Sequence, residues 1–290
     1  MSQSQTVEPA RPETRHLERP GGRIGYDVTG HGPLVIAVPG MGDLRSVYRV
    51  LAPALTEAGY RVATMDLRGH GDSDTTFDRY DSPATGSDIV ALIRALGDGP
   101  AVVIGNSMAA GSAVWAAAEE PALVAGLVLA GPFVRDVPAG RIAELSFRLA
   151  LRRPWGPRAW NAWYARLYPG RRPDDLDARR ARIRESLARP GGWDAFIRTT
   201  HTSHAAAEAR LDDVTAPTLV VMGERDPDFG DPTAEARLIG DRLGGRVVIV
   251  PGAGHYPQAE YPEVVTPEIE RFLAQEAHWG DGDGGQTNDA

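Results

Sequence analysis

The chain contains no cysteine, which excludes disulfides and thiolate-bound metal as sources of stability. It also lacks a long apolar run. The longest, LVAGLVLA at 123–130, falls far short of the roughly 20 residues that a spanning helix needs. The opening MSQSQTVEPARPETRH has no apolar core of the kind a secretory signal carries, so a cytoplasmic protein is expected. Nor is there an excess of positive charge: 31 Lys and Arg stand against 39 Asp and Glu, a formal net charge of −8. That balance argues against general attraction to nucleic-acid phosphates or to anionic lipid. The expected partner is a small neutral or weakly charged molecule, with no nucleic acid and no membrane, and the chain is expected to be a monomer or homodimer.

At 290 residues, 42% of them hydrophobic, the chain can bury a large single core. Residues 1–15 and the glycine-rich, acidic tail 278–290 show no periodicity and are expected to be disordered. Between them, short apolar runs alternate with stretches of helical spacing: PLVIAVPG then RSVYRVLAPALTEAG, YRVATMDL then SDIVALIRALG, AVVIGNS then SAVWAAAEEP. Later PTLVVMGERD and GRVVIVPGAGH repeat the pattern, each followed by a helical run. This is the alternation of strand and helix that builds a mostly parallel sheet flanked by helices. The pattern lapses over 136–212, where arginine, alanine and aromatics recur at helical spacing, so a helical insertion is expected to divide a core made of 16–135 and 213–277.

The segment AVVIGNSMAAG places Ser107 at the junction of a strand and a helix. Gly105 and Ala109, two residues to either side, are small enough to let the two backbones approach, and a residue in so tight a turn projects its side chain from the carboxyl end of the sheet. A serine hydroxyl is unreactive until a base takes its proton and a further group orients that base.

GNSMA resembles the nucleophile elbow G-x-S-x-G of the α/β-hydrolase superfamily, with Ala109 replacing the last glycine. The resemblance implies an α/β-hydrolase fold with a helical cap inserted after the sixth strand. It also implies a serine nucleophile, Ser107, with His255 in VPGAGHYPQAE as base and Asp226 in VVMGERDPD as acid, in the family's chain order. Asp228 remains the alternative acid, and Asp228 or Asp231 could instead cap the helix beginning near Pro232. PGMGD at 39–43 resembles the family's oxyanion turn, which implies the main-chain N–H groups of Met41 and Met108 as donors. DLRGHGDSD at 66–74 also resembles the family, and Arg68, His70 and Asp72 are read as holding that loop in shape.

Four of the six tryptophans, Trp155, Trp160, Trp163 and Trp193, fall in the insertion with Tyr164, Tyr168 and Phe196, which marks it as the place for an apolar pocket or for aromatic packing. Trp160, Trp163 and Tyr164 share one helical face, and with Tyr256 they are the candidate substrate-binding residues; the alternative is that the aromatics only pack the cap onto the core. The arginines of RRPDDLDARR and RRARIRES are read as a solvated face. His201 and His204 have metal-binding spacing but no third ligand in view, so no metal and no cofactor is expected.

A serine at the elbow argues against the epoxide hydrolases and haloalkane dehalogenases of this fold, which use aspartate there. What remains is hydrolysis of an ester, lactone or thioester, or cleavage of a carbon–carbon bond in a ring-fission-type diketone. The carbon–carbon hydrolases usually follow their histidine with tryptophan, whereas this chain has Tyr256, and the esterase or lactonase reading is therefore placed first. A non-catalytic small-molecule receptor on the same fold is the reading from another class.

Overall fold

The structure, a computed structural model, describes residues 12–97, 99–136 and 141–279, and the side chains of all of these except 141–144. The disorder expected of 1–11 and 280–290 lies outside the described residues.

The strands are β1 (Arg15–Arg19), β2 (Gly22–Thr29), β3 (Leu34–Val38), β4 (Arg61–Met65), β5 (Ala101–Asn106), β6 (Val124–Ala130), β7 (Thr218–Gly223) and β8 (Arg246–Val250). They form one sheet in the order β1-β2-β4-β3-β5-β6-β7-β8. β1 and β2 run antiparallel, and every pairing from β4 through β8 is parallel. The helices are α1 (Leu51–Glu57), α2 (Ser82–Leu96), α3 (Met108–Glu119), α4 (Arg141–Ala150), α5 (Gly156–Arg166), α6 (Leu176–Ala188), α7 (Gly192–Thr199), α8 (Ala205–Glu208), α9 (Pro232–Leu243), α10 (Pro257–Glu260) and α11 (Pro262–Gln275). This is an α/β-hydrolase fold, and α4 to α8 all lie between β6 and β7. No helix among the described residues is long and apolar enough to cross a membrane.

The central strands β3, β5, β6 and β7 are buried along their whole length, which is why they read as unbroken apolar runs: helices cover both faces of the sheet. Alternate side chains divide between those faces. Leu34, Ile36 and Val38 pack with Ile89 and Ile93 of α2 and Ala113 of α3. Val35 and Ala37 pack with Leu55 of α1 and Ile269 of α11. That period of two is what a pleated strand requires. The ends of α2 and α9 follow their sequence signals. Asp81 and Asp231 cap the amino ends by accepting N–H bonds from Ala84 and Ala234, both at 2.9 Å, so Asp231 is the capping acid.

The fold differs from the sequence expectation at both ends of the core. β1 and β2 were not anticipated. They form a hairpin across Pro20 and Gly21, with Arg19 paired to Gly22, and β2 then adds antiparallel to β4. Order therefore includes Arg15 and begins before residue 16. At the other end the disordered tail does not begin at 278. The His278 N–H donates to the Ala125 carbonyl at 2.7 Å, and Trp279 stacks on Tyr60 with ring centroids 5.8 Å apart. Two anchoring contacts outweigh the polar composition that follows them.

Candidate active site

Ser107 is the one non-glycine residue with positive φ among the described residues, at φ 57° and ψ −125°. Such a conformation costs on the order of 1–3 kcal/mol and persists where its surroundings over-determine it. The surroundings here are main-chain bonds. The Ser107 N–H donates to the Ala130 carbonyl at 2.9 Å, and its own carbonyl accepts from Ala110 at 3.0 Å and from Phe133 at 3.2 Å. The small residues act as the sequence suggests, since a β-carbon on Gly105 would lie 2.5 Å from the Ala109 carbonyl oxygen.

The loops after β5, β6, β7 and β8 converge on this point. Asn106 donates to the carbonyls of Ala130 and His255, tying the elbow to the histidine loop. Phe133, after β6, lays its ring 6.0 Å from that of His255 and stacks on Phe229 at 4.6 Å. Asp226, after β7, sets its Oδ2 2.7 Å from His255 Nδ1, and both side chains are buried. Asp228 Oδ2 stands 3.7 Å from the same nitrogen, and its N–H donates to Asp226 Oδ1 at 3.0 Å. Asp226 thus makes the hydrogen bond to the ring, while Asp228 contributes charge. Burial works against a charged His255 ring, but the Asp226 and Asp228 carboxylates outweigh it and push its pKa up to about 9. Burial raises the Asp228 carboxyl in turn, against the pull of His255.

The turn 39–43 follows β3 and is closed by the Asp43 N–H donating to the Gly40 carbonyl at 3.2 Å. It lies directly over the elbow, because a β-carbon on Gly40 would come 2.7 Å from Ser107 Cβ. Among the described residues no hydrogen bond uses the main-chain N–H of Met41 or of Met108, the latter at the first position of α3. His70 holds the turn from the core side. Its Nδ1 donates to the Arg68 carbonyl at 2.9 Å, which leaves Nε2 to accept the Gly42 N–H at 3.0 Å. Burial lowers its pKa to about 4, so the ring stays neutral and keeps that acceptor. Arg68 itself forks onto Asp88 at 2.6 and 2.8 Å, and Asp72 pairs with Arg45 at 2.8 Å.

The cap aromatics pack against the turn at 39–43 and against one another. Trp160, Tyr164 and Tyr256 are buried to 4% exposure or less, as closely packed as His255 at 2%. Trp160 covers Gly42 and donates to its carbonyl at 3.3 Å, while Tyr164 donates to Asp43 Oδ2 at 3.0 Å. Tyr256 packs on Tyr168 with centroids 4.9 Å apart. All three are held by packing or hydrogen bonds within the protein, and only Trp163 of the candidate set is half-buried. A correction concerns Arg179, which the sequence assigns to a solvated face. It is buried to 2% exposure and bonds both Asp43 oxygens, at 2.9 and 3.1 Å. Helical spacing shows which residues share a face but not that a carboxylate 136 positions earlier waits opposite.

Glu260 was not singled out by its sequence context. It is buried in α10 and accepts the N–H groups of Gly254, beside His255, at 2.6 Å and of Gly170 at 3.0 Å. Burial raises its pKa to about 7, against those two bonds. As to metal, Asp226, Asp228 and His255 offer donor atoms within 4.8 Å of one another, the one such trio among the described residues. The 2.7 Å contact of Nδ1 with Asp226 fits a proton-bearing nitrogen rather than a ligating lone pair. His201 is exposed, and His204 packs its ring 5.8 Å from Phe133.

Fold and site define a hydrolase of the α/β class. The profile of the alpha/beta hydrolase family matches residues 35–268, and the chain belongs to that family. It is 31% identical over 265 residues to the 2-(acetamidomethylene)succinate hydrolase of Mesorhizobium japonicum, covering 87% of this chain and 92% of that protein. Among solved structures, the E-2-(acetamidomethylene)succinate hydrolase superposes with a TM-score of 0.69 at 27% identity, covering 90% of this chain and 99% of that one. A serine hydrolase involved in carbazole degradation superposes at 0.72 with 24% identity, covering 90% and 98%, a likeness of fold.

Proposed function

We propose that the protein is a serine hydrolase that cleaves a carboxylic ester or lactone, or a thioester, of a small apolar molecule through an acyl-enzyme. The observation that carries the reading is the strained Ser107 on a turn bonded to the His255 loop, with the His255–Asp226 pair at 2.7 Å behind it. In this mechanism Ser107 Oγ attacks the substrate carbonyl as His255 takes its proton. Asp226 stabilises the resulting imidazolium and holds the ring in one tautomer. The oxyanion of the tetrahedral intermediate accepts from the N–H groups of Met41 and Met108. Collapse expels the leaving group with the proton from His255, and a water molecule repeats the sequence to free the acid and Ser107.

The surroundings favour an uncharged substrate. Arg179, the buried cation nearest the turn, is already neutralised by Asp43, while Asp226 and Asp228 crowd His255. Met41, Phe133 and Trp163 remain half-buried and apolar. A second reading, hydrolysis of a bond other than an ester, is favoured by the similarity to the 2-(acetamidomethylene)succinate hydrolase. A succinate carries two carboxylates, and the neutralised Arg179 argues against that substrate for this chain.

The test is a short panel on the purified protein: p-nitrophenyl esters, lactones and a ring-fission dienolate whose yellow colour fades on cleavage. Ester or lactone turnover, abolished by a fluorophosphonate whose single adduct maps to Ser107, is the expected result. Labelling elsewhere, or turnover of the dienolate alone, would reject the ester reading. Ligand-induced stabilisation with no turnover would indicate a receptor.

A further inference from the structure

The turn that carries the Met41 N–H is held from two sides. On the core side His70 accepts the Gly42 N–H at 3.0 Å. On the cap side Trp160 of α5 donates to the Gly42 carbonyl at 3.3 Å, so one residue has its N–H and its C=O both engaged, by different parts of the fold. Gly42 has φ 71°, and a β-carbon there would fall 2.4 Å from the Trp160 ring: the indole rests on the turn itself. The next residue is gripped as well. The buried Asp43 carboxylate receives Arg179 of α6 at 2.9 and 3.1 Å and the Tyr164 hydroxyl of α5 at 3.0 Å, while Arg179 also donates to that hydroxyl at 2.8 Å.

We infer that the cap completes the oxyanion-binding turn, and that Trp160 and Arg179 are positioning residues for the chemical step, acting through Gly42 and Asp43 to aim the Met41 N–H. The inference rests on the serine-hydrolase reading above. Its physical basis is that an oxyanion donor acts only within a few tenths of an ångström of the developing charge, so the groups that fix its peptide contribute to the rate without touching substrate. Closed only by the Asp43-to-Gly40 bond, a glycine-containing turn has several backbone states open to it. With the peptide groups on both sides of Gly42 hydrogen-bonded and Asp43 locked in a buried ion pair, those states are restricted.

Two folded variants test this, with kcat and KM on a p-nitrophenyl ester series, the rate of fluorophosphonate labelling, and Tm. Trp160→Phe keeps an aromatic ring at the site, smaller than indole, and deletes the N–H, with Tm reporting any loss from the reduced packing. Its KM should stay within about twofold of wild type, while kcat and the labelling rate fall about tenfold. Breaking one side of a buried ion pair is strongly destabilising, so the second variant removes both charges, Asp43→Asn with Arg179→Met. Replacing a buried pair together is often neutral. This double variant should melt near wild type and still lose about 100-fold in kcat. A purely structural role predicts that kcat recovers along with Tm. Unchanged kcat in Trp160→Phe, or a loss carried by KM, overturns the inference while Ser107 still labels and wild type still turns over. Wild-type protein inert to both esters and fluorophosphonate would instead remove the serine-hydrolase reading, and this inference with it.

Discussion

His255 has two carboxylates beside one nitrogen, and the distances rank them: Asp226 Oδ2 at 2.7 Å makes a hydrogen bond to Nδ1, whereas Asp228 Oδ2 at 3.7 Å does not. An amide at 226 would present the wrong hydrogen-bonding group to the ring and could not stabilise an imidazolium. Asp226→Asn is therefore expected to lower kcat on the order of 10⁴-fold, and Asp228→Asn less than about tenfold. Steady-state kinetics of the two variants decides it, and the reverse order would move the acid two residues along the loop.

The same pair sets the pH at which the base becomes available. A general base must be neutral to accept a proton, and the carboxylates hold His255 in its charged form up to about 9, rather than the ordinary histidine value near 6.5. The kcat/KM profile should accordingly still be rising at pH 8. Asp228→Asn withdraws one of the two charges and should shift the rise toward lower pH. A wild-type profile already flat by pH 7 would contradict the account.

Glu260 gives a stability prediction. Its native pKa of about 7 lies above the ordinary 4.5, so between those values the folded protein binds more protons than the unfolded chain. The contribution is fully present below 4.5 and is lost as pH rises through 7. His255 acts in the same direction between 6.5 and 9, which makes the comparison with a variant necessary. Urea unfolding at pH 5 and pH 8 should show Glu260→Gln losing less stability than wild type over that interval. Parallel losses in the two proteins would refute it.

The strained elbow offers a further check. Glycine adopts positive φ at little cost, so Ser107→Gly should be more stable than Ser107→Ala by about 1 kcal/mol, although both remove the proposed nucleophile. Thermal melts of the two inactive variants measure the difference. Equal stabilities would mean that the turn carries no strain.

Much of this arrangement is legible in the sequence because it depends on local chemistry. AVVIGNSMA specifies a strand, a cramped turn and a helix from small residues at 105, 107 and 109, and the buried strands announce themselves as apolar runs. The β1–β2 hairpin leaves little trace in the sequence because its strands are half exposed and polar, although Pro-Gly-Gly at its centre is a turn signal. Arg179 was beyond sequence reasoning for another reason. On its helix it is one arginine among several, and only the tertiary fold brings Asp43 against it and withdraws it from water. Likewise the shared face of Trp160, Trp163 and Tyr164 is visible as a helical repeat, whereas the hydrogen bonds of Trp160 and Tyr164 to the turn at 42 and 43 are visible only in the fold.

The anchoring of His278 has a practical consequence. Ala125, which receives its N–H, lies near the start of β6, and Ala130, whose carbonyl bonds Ser107, ends that strand. At about 3.3 Å per residue the two points are separated by roughly 17 Å along the strand. The chain thus leaves the core on the rim opposite Ser107, with Trp279 pinned against Tyr60 as it does so. A label placed at the exposed His278 would lie on that rim and report on the fold without crowding the serine.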